Sequence, residues 1–269
     1  MRVALCLSGQ VRALDANLHT ILDNLVGSCG ADVFCHFWDS GPGGKERAAE
    51  AVARLRPKAF DIAEQIDFTL YPGRGHTPRT RSQFYSIKQA NNLKRQFEAS
   101  ENFVYDFVIR TRTDLLINKA FRPEEHNSSF VYARKKPIDK VVNGEFAWSY
   151  RPLADALPGA ERFLFEDDMF FIANSANMDL YASGYDHIDT IIHAAENSPT
   201  RQHFQTNWHH PLTGEHSFVD PKKEGEMGIH LVGENVVSYV QNKYLSHARA
   251  FPTDIPSDEV LAIQGKLVW

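Results

Sequence analysis

The sequence has no long hydrophobic run. Its first apolar stretch, residues 3–7, stops at Ser8, so it is too short for the core of a signal peptide and far too short to span a bilayer. No later segment is both longer and uncharged. We therefore expect no transmembrane segment, and a protein that is either free in the cytoplasm or peripheral to the membrane.

An excess of positive charge is also missing. Lysine and arginine number 29 against 34 acidic residues, which gives a formal net charge of −5. A general nucleic-acid binder needs a basic surface that releases counterions from phosphates, so we expect no nucleic-acid partner. The balance still leaves room for a local basic pocket that holds one small anion.

Cysteine is scarce, and several common catalytic motifs are absent. The cysteines are an odd number without metal-ligand spacing, so we expect reduced, buried thiols at Cys6, Cys29 and Cys35. The later histidines lack the HExxH spacing of zinc enzymes: His203, His209, His210 and His216. Neither GxSxG nor a Cys/His signature is present, so nucleophilic hydrolysis has no support in the sequence. The phosphate-binding patterns GxGxxG and GxxxxGK are also missing.

Apolar runs alternate with helical spacing in the first part of the chain. Strands are predicted at 3–7, 32–38 and 104–109, and helices at 12–27, at 45–56 and behind a possible capping box of Thr80 and Gln83. The second part is mixed, with strands predicted at 130–133, 169–173 and 236–240 and an interrupted helix at 178–195. This order predicts an α/β fold with a mostly parallel central sheet flanked by helices. Because no repeat or linker is visible, we expect one domain over residues 1–269.

Ligands of an open α/β sheet bind beyond the carboxyl ends of its strands, and three polar clusters lie there. The first is Ser8, Gly9, Gln10 and Arg12, where a glycine turn and a helix start favour an anion. The alternative is an ordinary turn with an exposed arginine.

The second cluster follows the next strand. His36 and the adjacent rings could stack a base while Asp39 binds a ribose hydroxyl. The alternative is a core tryptophan at Trp38 with a capping or turn aspartate.

The third cluster places Arg110, Arg112 and Asp114 between two apolar runs. Such charges cost desolvation unless they are paired or hold a ligand. Arg112 could bind a phosphate, and Asp114 could coordinate a divalent cation that bridges the same diphosphate. The alternative is an internal salt bridge between arginine and aspartate.

A fourth cluster, Glu166, Asp167 and Asp168, precedes an apolar strand. Neighbouring carboxylates repel one another, which suits a general base or a ligand of metal or sugar hydroxyls. The alternative is a solvated acidic turn. Only one of Asp167 and Asp168 can face a cleft, because successive residues of a strand point to opposite faces.

Several segments together resemble a family of bacterial and viral glycosyltransferases found in surface-polysaccharide gene clusters. In chain order, over roughly the first two-thirds of the sequence, they are VALCLSGQVR, DVFCHFWD, RSQFYSIKQANNLK, YDFVIRTRTDLL and EDDMFFIANSANM. The resemblance implies a GT-A-like (Rossmann-like) fold with a nucleotide-binding half at 1–120 and an acceptor-side half at 121–269. It also favours Asp168 over Asp167, because Asp168 matches an aspartate that precedes the aromatic strand in that family.

In such enzymes an Asp-x-Asp sequence binds Mn²⁺ or Mg²⁺ together with the donor diphosphate. Here that position reads Arg112-Thr113-Asp114. An arginine could itself neutralise the leaving diphosphate, which would make the cation weaker or dispensable.

The resemblance leads to one principal function and two alternatives. The principal one is a hexosyltransferase-like enzyme that moves a sugar from a nucleotide-diphosphate donor to a hydroxyl of a glycan acceptor. Ser8, Gly9, Gln10 and Arg12 would then bind the nucleotide and phosphates, and Asp167 or Asp168 would take the acceptor proton if the anomeric centre inverts. The alternatives are an inactive nucleotide-sugar or glycan-binding protein of the same fold, and a transferase that uses another phosphoanhydride donor.

Overall fold

A central β-sheet with helices on both faces organises the protein. The structure is a computed structural model, and it describes residues 1–12, 14–41, 43–73, 75–134, 141–142, 145–146, 168–197, 231, 233–245, 248 and 250–253. In chain order the strands are β1 (Val3–Gln10), β2 (Asp32–Trp38), β3 (Ala59–Ala63), β4 (Phe107–Thr111), β5 (Val131–Arg134), β6 (Val141–Val142), β7 (Glu145–Phe146), β8 (Phe170–Ala173) and β9 (Ala250–Thr253).

Seven of these strands form the sheet, in the order β3-β2-β1-β4-β8-β5-β9, while β6 and β7 pair only with each other. The pairs β1–β2, β1–β4, β2–β3 and β5–β9 are parallel. Strand β8 is antiparallel to both of its neighbours, β4 and β5. The prediction of an α/β fold with a mostly parallel sheet is therefore confirmed.

The α-helices of the described residues are α1 (Leu14–Ile21), α2 (Gly44–Leu55), α3 (Thr77–Glu101), α4 (Ser175–Ala182), α5 (Ile188–Glu196) and α6 (Gly233–Tyr244). A π-helical segment, Leu22–Gly27, directly continues α1. Helix α3 presents an apolar stripe to the sheet, in which Phe84, Ile87 and Ala90 are buried. Among the described residues, no helix combines the length and the hydropathy needed to cross a membrane.

Each face of the sheet contributes to its own core. Strand β1 alternates between them, because Ala4 and Cys6 pack on the side of α3 whereas Leu5 and Leu7 pack on the side of α1 and α2. Both faces are covered, which explains why the predicted strands are continuous apolar runs. Cys6, Cys29 and Cys35 are free; Cys6 and Cys35 are buried, as expected, whereas Cys29 is only partly buried. Burial raises the pKa of the Cys6 thiol to about 12.

Three predictions of local structure are wrong. The apolar residues at 236–240 lie in α6 rather than in a strand; Val236, Val237 and Val240 share one buried helical face. Short apolar runs do not distinguish a buried helix from a strand. The capping box is also wrong, because α3 already begins at Thr77 and so includes Thr80 and Gln83.

The third error concerns β4. It begins at Phe107 rather than at 104 and continues to Thr111, and Val104 is exposed. Strands β3 and β9 are not predicted from the sequence. The side chains of β3 are exposed or half-buried, and such a strand lacks the apolar run that marks a core strand.

The strand order places a topological switch point at the carboxyl end of β1, and we call this end of the sheet the crevice. The chain leaves β1 for β2 on one side, whereas β4 lies on the other side of β1. Ligands of open α/β sheets bind at such switch points, outside the carboxyl ends of the strands. Because β8 runs in the opposite direction, it begins at this edge, where Phe170 pairs with Thr111. Ser8 and Asp114 therefore lie at the same end of the sheet, as the sequence predicts.

Candidate functional site

The end of β1 leaves its backbone open to a ligand. Gly9 has a φ of +110°, a conformation that side chains other than glycine rarely adopt. Apart from the two neighbours of Gly9 in the chain, no atom of the described residues lies within 4 Å of a Cβ placed on Gly9. The conformation thus requires glycine, and the described residues leave open space beside it.

Gln10 joins three segments at this edge. Its backbone oxygen accepts a hydrogen bond of 2.7 Å from Thr113 Oγ1, and its side-chain Nε2 donates to Ser40 Oγ at 2.8 Å. Its Oε1 accepts from Arg12 Nη2. These bonds hold the ends of β1 and β4 and the segment after β2 in a fixed relation.

Arg112 and Asp114 form a two-pronged ion pair. Arg112 Nε donates to Asp114 Oδ1 at 2.8 Å, and Nη2 donates to Oδ2 at 2.5 Å. The side chains are 26% and 14% exposed. This is the salt bridge that the sequence offers as the alternative to ligand binding, although the pair lies at the crevice.

The pairing bears on the predicted metal site. Both oxygens of Asp114 accept from Arg112, and no group of three or more potential metal ligands occurs among the described residues. A divalent cation favours several oxygen ligands, and a guanidinium in their place repels it. The described residues therefore do not fit Mn²⁺ or Mg²⁺ at Asp114, and we derive no step through a metal.

Three arginines and one aspartate share the crevice. Burial lowers the pKa of Arg12; Asp114 opposes this shift, whereas Arg112 and Arg79 reinforce it, so the four groups lie close enough to interact. Arg79 lies in the first turn of α3, which has no acidic residue and no side-chain cap. A helix start and several guanidinium groups together attract an anion.

The structure buries His36 below this edge. Its Nδ1 lies 2.8 Å from Ser86 Oγ, and Ser86 Oγ donates to the backbone oxygen of His36 at 3.0 Å. Burial lowers the pKa of His36 to about 4. Trp38 is also buried and stacks on Tyr85. These rings belong to the core on the α3 side, as the alternative to base stacking predicts, whereas Asp39 is partly exposed at the end of β2.

Ser8 and Arg110 are buried beneath the crevice as well. Ser8 lies opposite His36 in the pairing of β1 with β2, and Arg110 lies opposite Cys6 in the pairing of β1 with β4. Arg110 is 1% exposed, and its Nη1 donates to the backbone oxygen of Asp168. Its Nε and Nη2 have no hydrogen-bond partner within the described part of the chain.

Asp168 lies two residues before β8 and is 7% exposed. If the pairing of β8 with β4 continued, it would place Asp168 opposite Thr113, beside Gln10. Gln83 Nε2 donates to the backbone oxygen of Asp168 at 2.8 Å and to its Oδ2 at 3.1 Å. Asp167, the other predicted catalytic residue, lies outside the described residues.

Sequence reasoning missed Arg79, Gln83 and Thr113 as members of the site. Arg79 and Gln83 are four residues apart on α3 and so lie on one helix face, which is a visible sequence signal. The prediction of a capping box at Thr80 and Gln83 obscures that signal. Thr113 carries no such signal, since its bond to Gln10 spans 103 residues.

Elsewhere, a cavity of about 630 Å³ opens at the amino end of β2, lined in part by Asp32, Arg54 and Lys58. It shares no residue with the crevice. Comparison with known proteins adds no assignment: no protein-family model and no curated protein matches this chain.

Proposed function

We propose that the protein transfers a sugar from a nucleotide-diphosphate donor to a hydroxyl group of a glycan acceptor. The observation that carries the proposal is the set of three arginines, Arg12, Arg79 and Arg112, at a switch-point crevice. Guanidinium groups and a helix start are suited to a diphosphate, the group that leaves in this reaction. The open space beside Gly9 lets a ligand approach the backbone closely.

A candidate base lies at the same edge. Asp168 reaches it because β8 is antiparallel to β4, and no parallel strand could begin there. If the anomeric centre inverts, the Asp168 carboxylate accepts the acceptor hydroxyl proton while that oxygen bonds to the anomeric carbon. The bond from that carbon to the diphosphate oxygen breaks, and the arginines stabilise the charge on the departing diphosphate. If the centre is retained, Asp168 positions the acceptor instead.

An inactive nucleotide-sugar or glycan-binding protein is the second candidate. It is favoured by the Arg112–Asp114 pair, because Arg112 stands where the resembled family has the first carboxylate of its Asp-x-Asp sequence. Arg112 also donates to both oxygens of Asp114, the second carboxylate of that sequence. Turnover separates the two functions, since a binding protein would take up the donor without consuming it.

The donor is identified by a thermal-shift screen over UDP-, GDP-, dTDP- and CMP-sugars, with and without manganese. We expect one nucleotide class to raise the Tm, since a ligand at about 100 times its Kd stabilises a fold by about 2.7 kcal/mol. The matching nucleoside diphosphate should stabilise the protein more than the nucleoside does, because the arginines face the phosphates. Failure of every nucleotide to shift the Tm would contradict the proposal.

A further inference from the structure

We propose that Gln83 and Gly233 are positioning residues that hold the carboxylate of Asp168 in its reactive orientation. Neither residue is suggested as functional by the sequence, and they approach Asp168 from two different segments of the chain. The inference rests on the proposed function, in which Asp168 serves as the base.

The side chain of Gln83 donates to both the backbone and the carboxylate of Asp168. A single side-chain nitrogen, Nε2, donates to the backbone oxygen at 2.8 Å and to the carboxylate Oδ2 at 3.1 Å. The first bond fixes the residue, and the second fixes the plane of its carboxylate. Fixing Oδ2 also fixes the direction of Oδ1, which matters because a general base must lie within hydrogen-bond reach of the proton that it takes.

Gly233 also lies directly against this carboxylate. A Cβ at Gly233 would overlap Asp168 Oδ2 and would lie 2.8 Å from both Cβ and Cγ of Asp168. Side chains do not approach so closely, and therefore only glycine leaves the carboxylate in this place. The first turn of α6 thus packs against the carboxylate of Asp168 like a wall, and this close packing requires glycine at position 233.

The wall itself is anchored to α3. Thr77 Oγ1 accepts a hydrogen bond of 2.9 Å from the backbone N–H of Leu231, and Thr80 Oγ1 donates to the backbone oxygen of Leu231 at 3.0 Å. Both threonines and Leu231 are buried. Helix α3 therefore carries Gln83 and also holds Leu231, two residues before Gly233, so one element supports both contacts.

Arg110 completes the support from below. Its buried guanidinium donates to the same backbone oxygen of Asp168 that Gln83 uses. Two donors on one carbonyl leave the backbone of Asp168 little freedom to turn. We therefore infer that Arg110 supports the base, rather than binding the donor as the sequence predicts.

The main test compares Gln83→Met with Gln89→Met. Methionine keeps the length of glutamine and removes the donor, and Gln89 lies on the same helix about 9 Å further along its axis. We expect Gln83→Met to lower kcat by about 10-fold to 100-fold, the range for a misplaced catalytic group. The donor Kd and the Tm of Gln83→Met should stay close to the wild-type values. For Gln89→Met, kcat, donor Kd and Tm should all stay close to the wild-type values. A role of Gln83 in folding alone would lower the Tm and leave kcat unchanged.

Three further variants test the same geometry. Gln83→Glu places a second carboxylate beside Oδ2, so the acid limb of the pH–kcat profile should move to higher pH. Gly233→Ala should lower kcat because its Cβ displaces the carboxylate. Gln83→Asn, an amide one methylene shorter, should retain more activity than Gln83→Met. If the pH profile of Gln83→Glu superimposes on that of wild type, the inference is wrong.

The outcome separates the inference from the proposed function. Active wild-type protein with equal kcat in Gln83→Met and Gln89→Met would overturn the inference and leave the function standing. Without turnover by wild-type protein, the function fails, and carboxyl ¹³C NMR still tests the geometry. The Asp168 signal, identified by its loss in Asp168→Asn, should then titrate at higher pH in Gln83→Met than in wild type, because a donor to the charged form is lost. An unchanged titration would overturn the inference.

Discussion

At the scale of single residues, the arginines of the crevice differ in exposure and in their partners. Arg12 and Arg79 are exposed, whereas Arg112 is committed to Asp114 through two hydrogen bonds. The same residue type is therefore exposed at two positions and ion-paired at a third, and substitutions should show whether these arginines differ in role.

Arg12→Ala tests the ligand-facing class. We expect it to weaken nucleoside-diphosphate binding by about 10-fold or more, because a charge-assisted contact is lost, while the Tm changes little. Isothermal titration calorimetry gives the affinity. The matched control is Arg95→Ala, which removes an exposed arginine far along α3. Equal affinities for the two variants would remove Arg12 from the phosphate site.

Arg112 is expected to contribute to both binding and stability. Arg112→Ala leaves the carboxylate of Asp114 without the donors seen here, so the Tm should fall together with the affinity for the diphosphate. The double variant Arg112→Ala/Asp114→Ala removes both charges and should recover Tm but not binding. Recovery of binding in the double variant would mean that Arg112 never touches the ligand.

His36 gives the protein a pH-dependent stability. Burial lowers its pKa to about 4 in the folded protein, compared with about 6.5 in an unfolded chain. The unfolded state then binds more protons between these values, so stability is highest above pH 6.5 and falls as the pH drops toward 4, by at most about 1.4 kcal/mol per pH unit.

Urea unfolding at pH 7.5 and pH 5 measures this loss. His36→Gln should reduce it, whereas replacement of the exposed His19 by glutamine should leave it unchanged. An equal pH dependence in both variants would assign the effect to other groups.

At the scale of elements, α3 connects the crevice to the rest of the fold. Its amino-terminal half carries Arg79 and Gln83, and its carboxyl-terminal half is tied to α4 by a buried lysine. Lys94 is 0% exposed; its Nζ lies 2.9 Å from Asp179 Oδ1 and 3.2 Å from Glu98 Oε2. The position of the site thus depends on an ion-pair cluster at the far end of one helix.

Lys94→Met should therefore destabilise the protein by about 3–5 kcal/mol, because carboxylates lose their buried partner. Arg95→Met is the matched control, since Arg95 is 59% exposed and lies 3.4 Å from the same Asp179. We expect that change to cost at most about 1 kcal/mol. Urea unfolding compares the two, and equal losses would show that the buried cluster contributes no more than a surface pair.

At the scale of the whole molecule, the sequence predicts individual strands and helices far better than the contacts between elements that are distant in sequence. The strands at 3–7 and 32–38 are predicted because burial on both faces requires continuous apolar runs. The rule for parallel sheets predicts that β1 and β4 end on the same side, and it therefore places Ser8 and Asp114 at one end of the sheet. The apolar run at 236–240 misleads because its length fits both a short strand and a buried helix.

The patterns within single segments do not predict the long-range contacts that complete the site. Gln83 and Asp168 are 85 residues apart, and Thr77 and Leu231 are 154 residues apart. They meet only because β8 enters the sheet antiparallel and α6 returns to the start of α3. No periodicity within a segment encodes that meeting.

The most direct test of the account is the acceptor-dependent release of nucleoside diphosphate, measured with the stabilising donor and a mixture of glycans. We expect release by wild-type protein, a loss of about 100-fold or more in Asp168→Asn with unchanged donor affinity, and a milder loss in Asp167→Asn. Absence of acceptor-dependent release with a bound donor would contradict sugar transfer and favour a binding protein. Equal, small losses in the two aspartate variants would contradict Asp168 as the base.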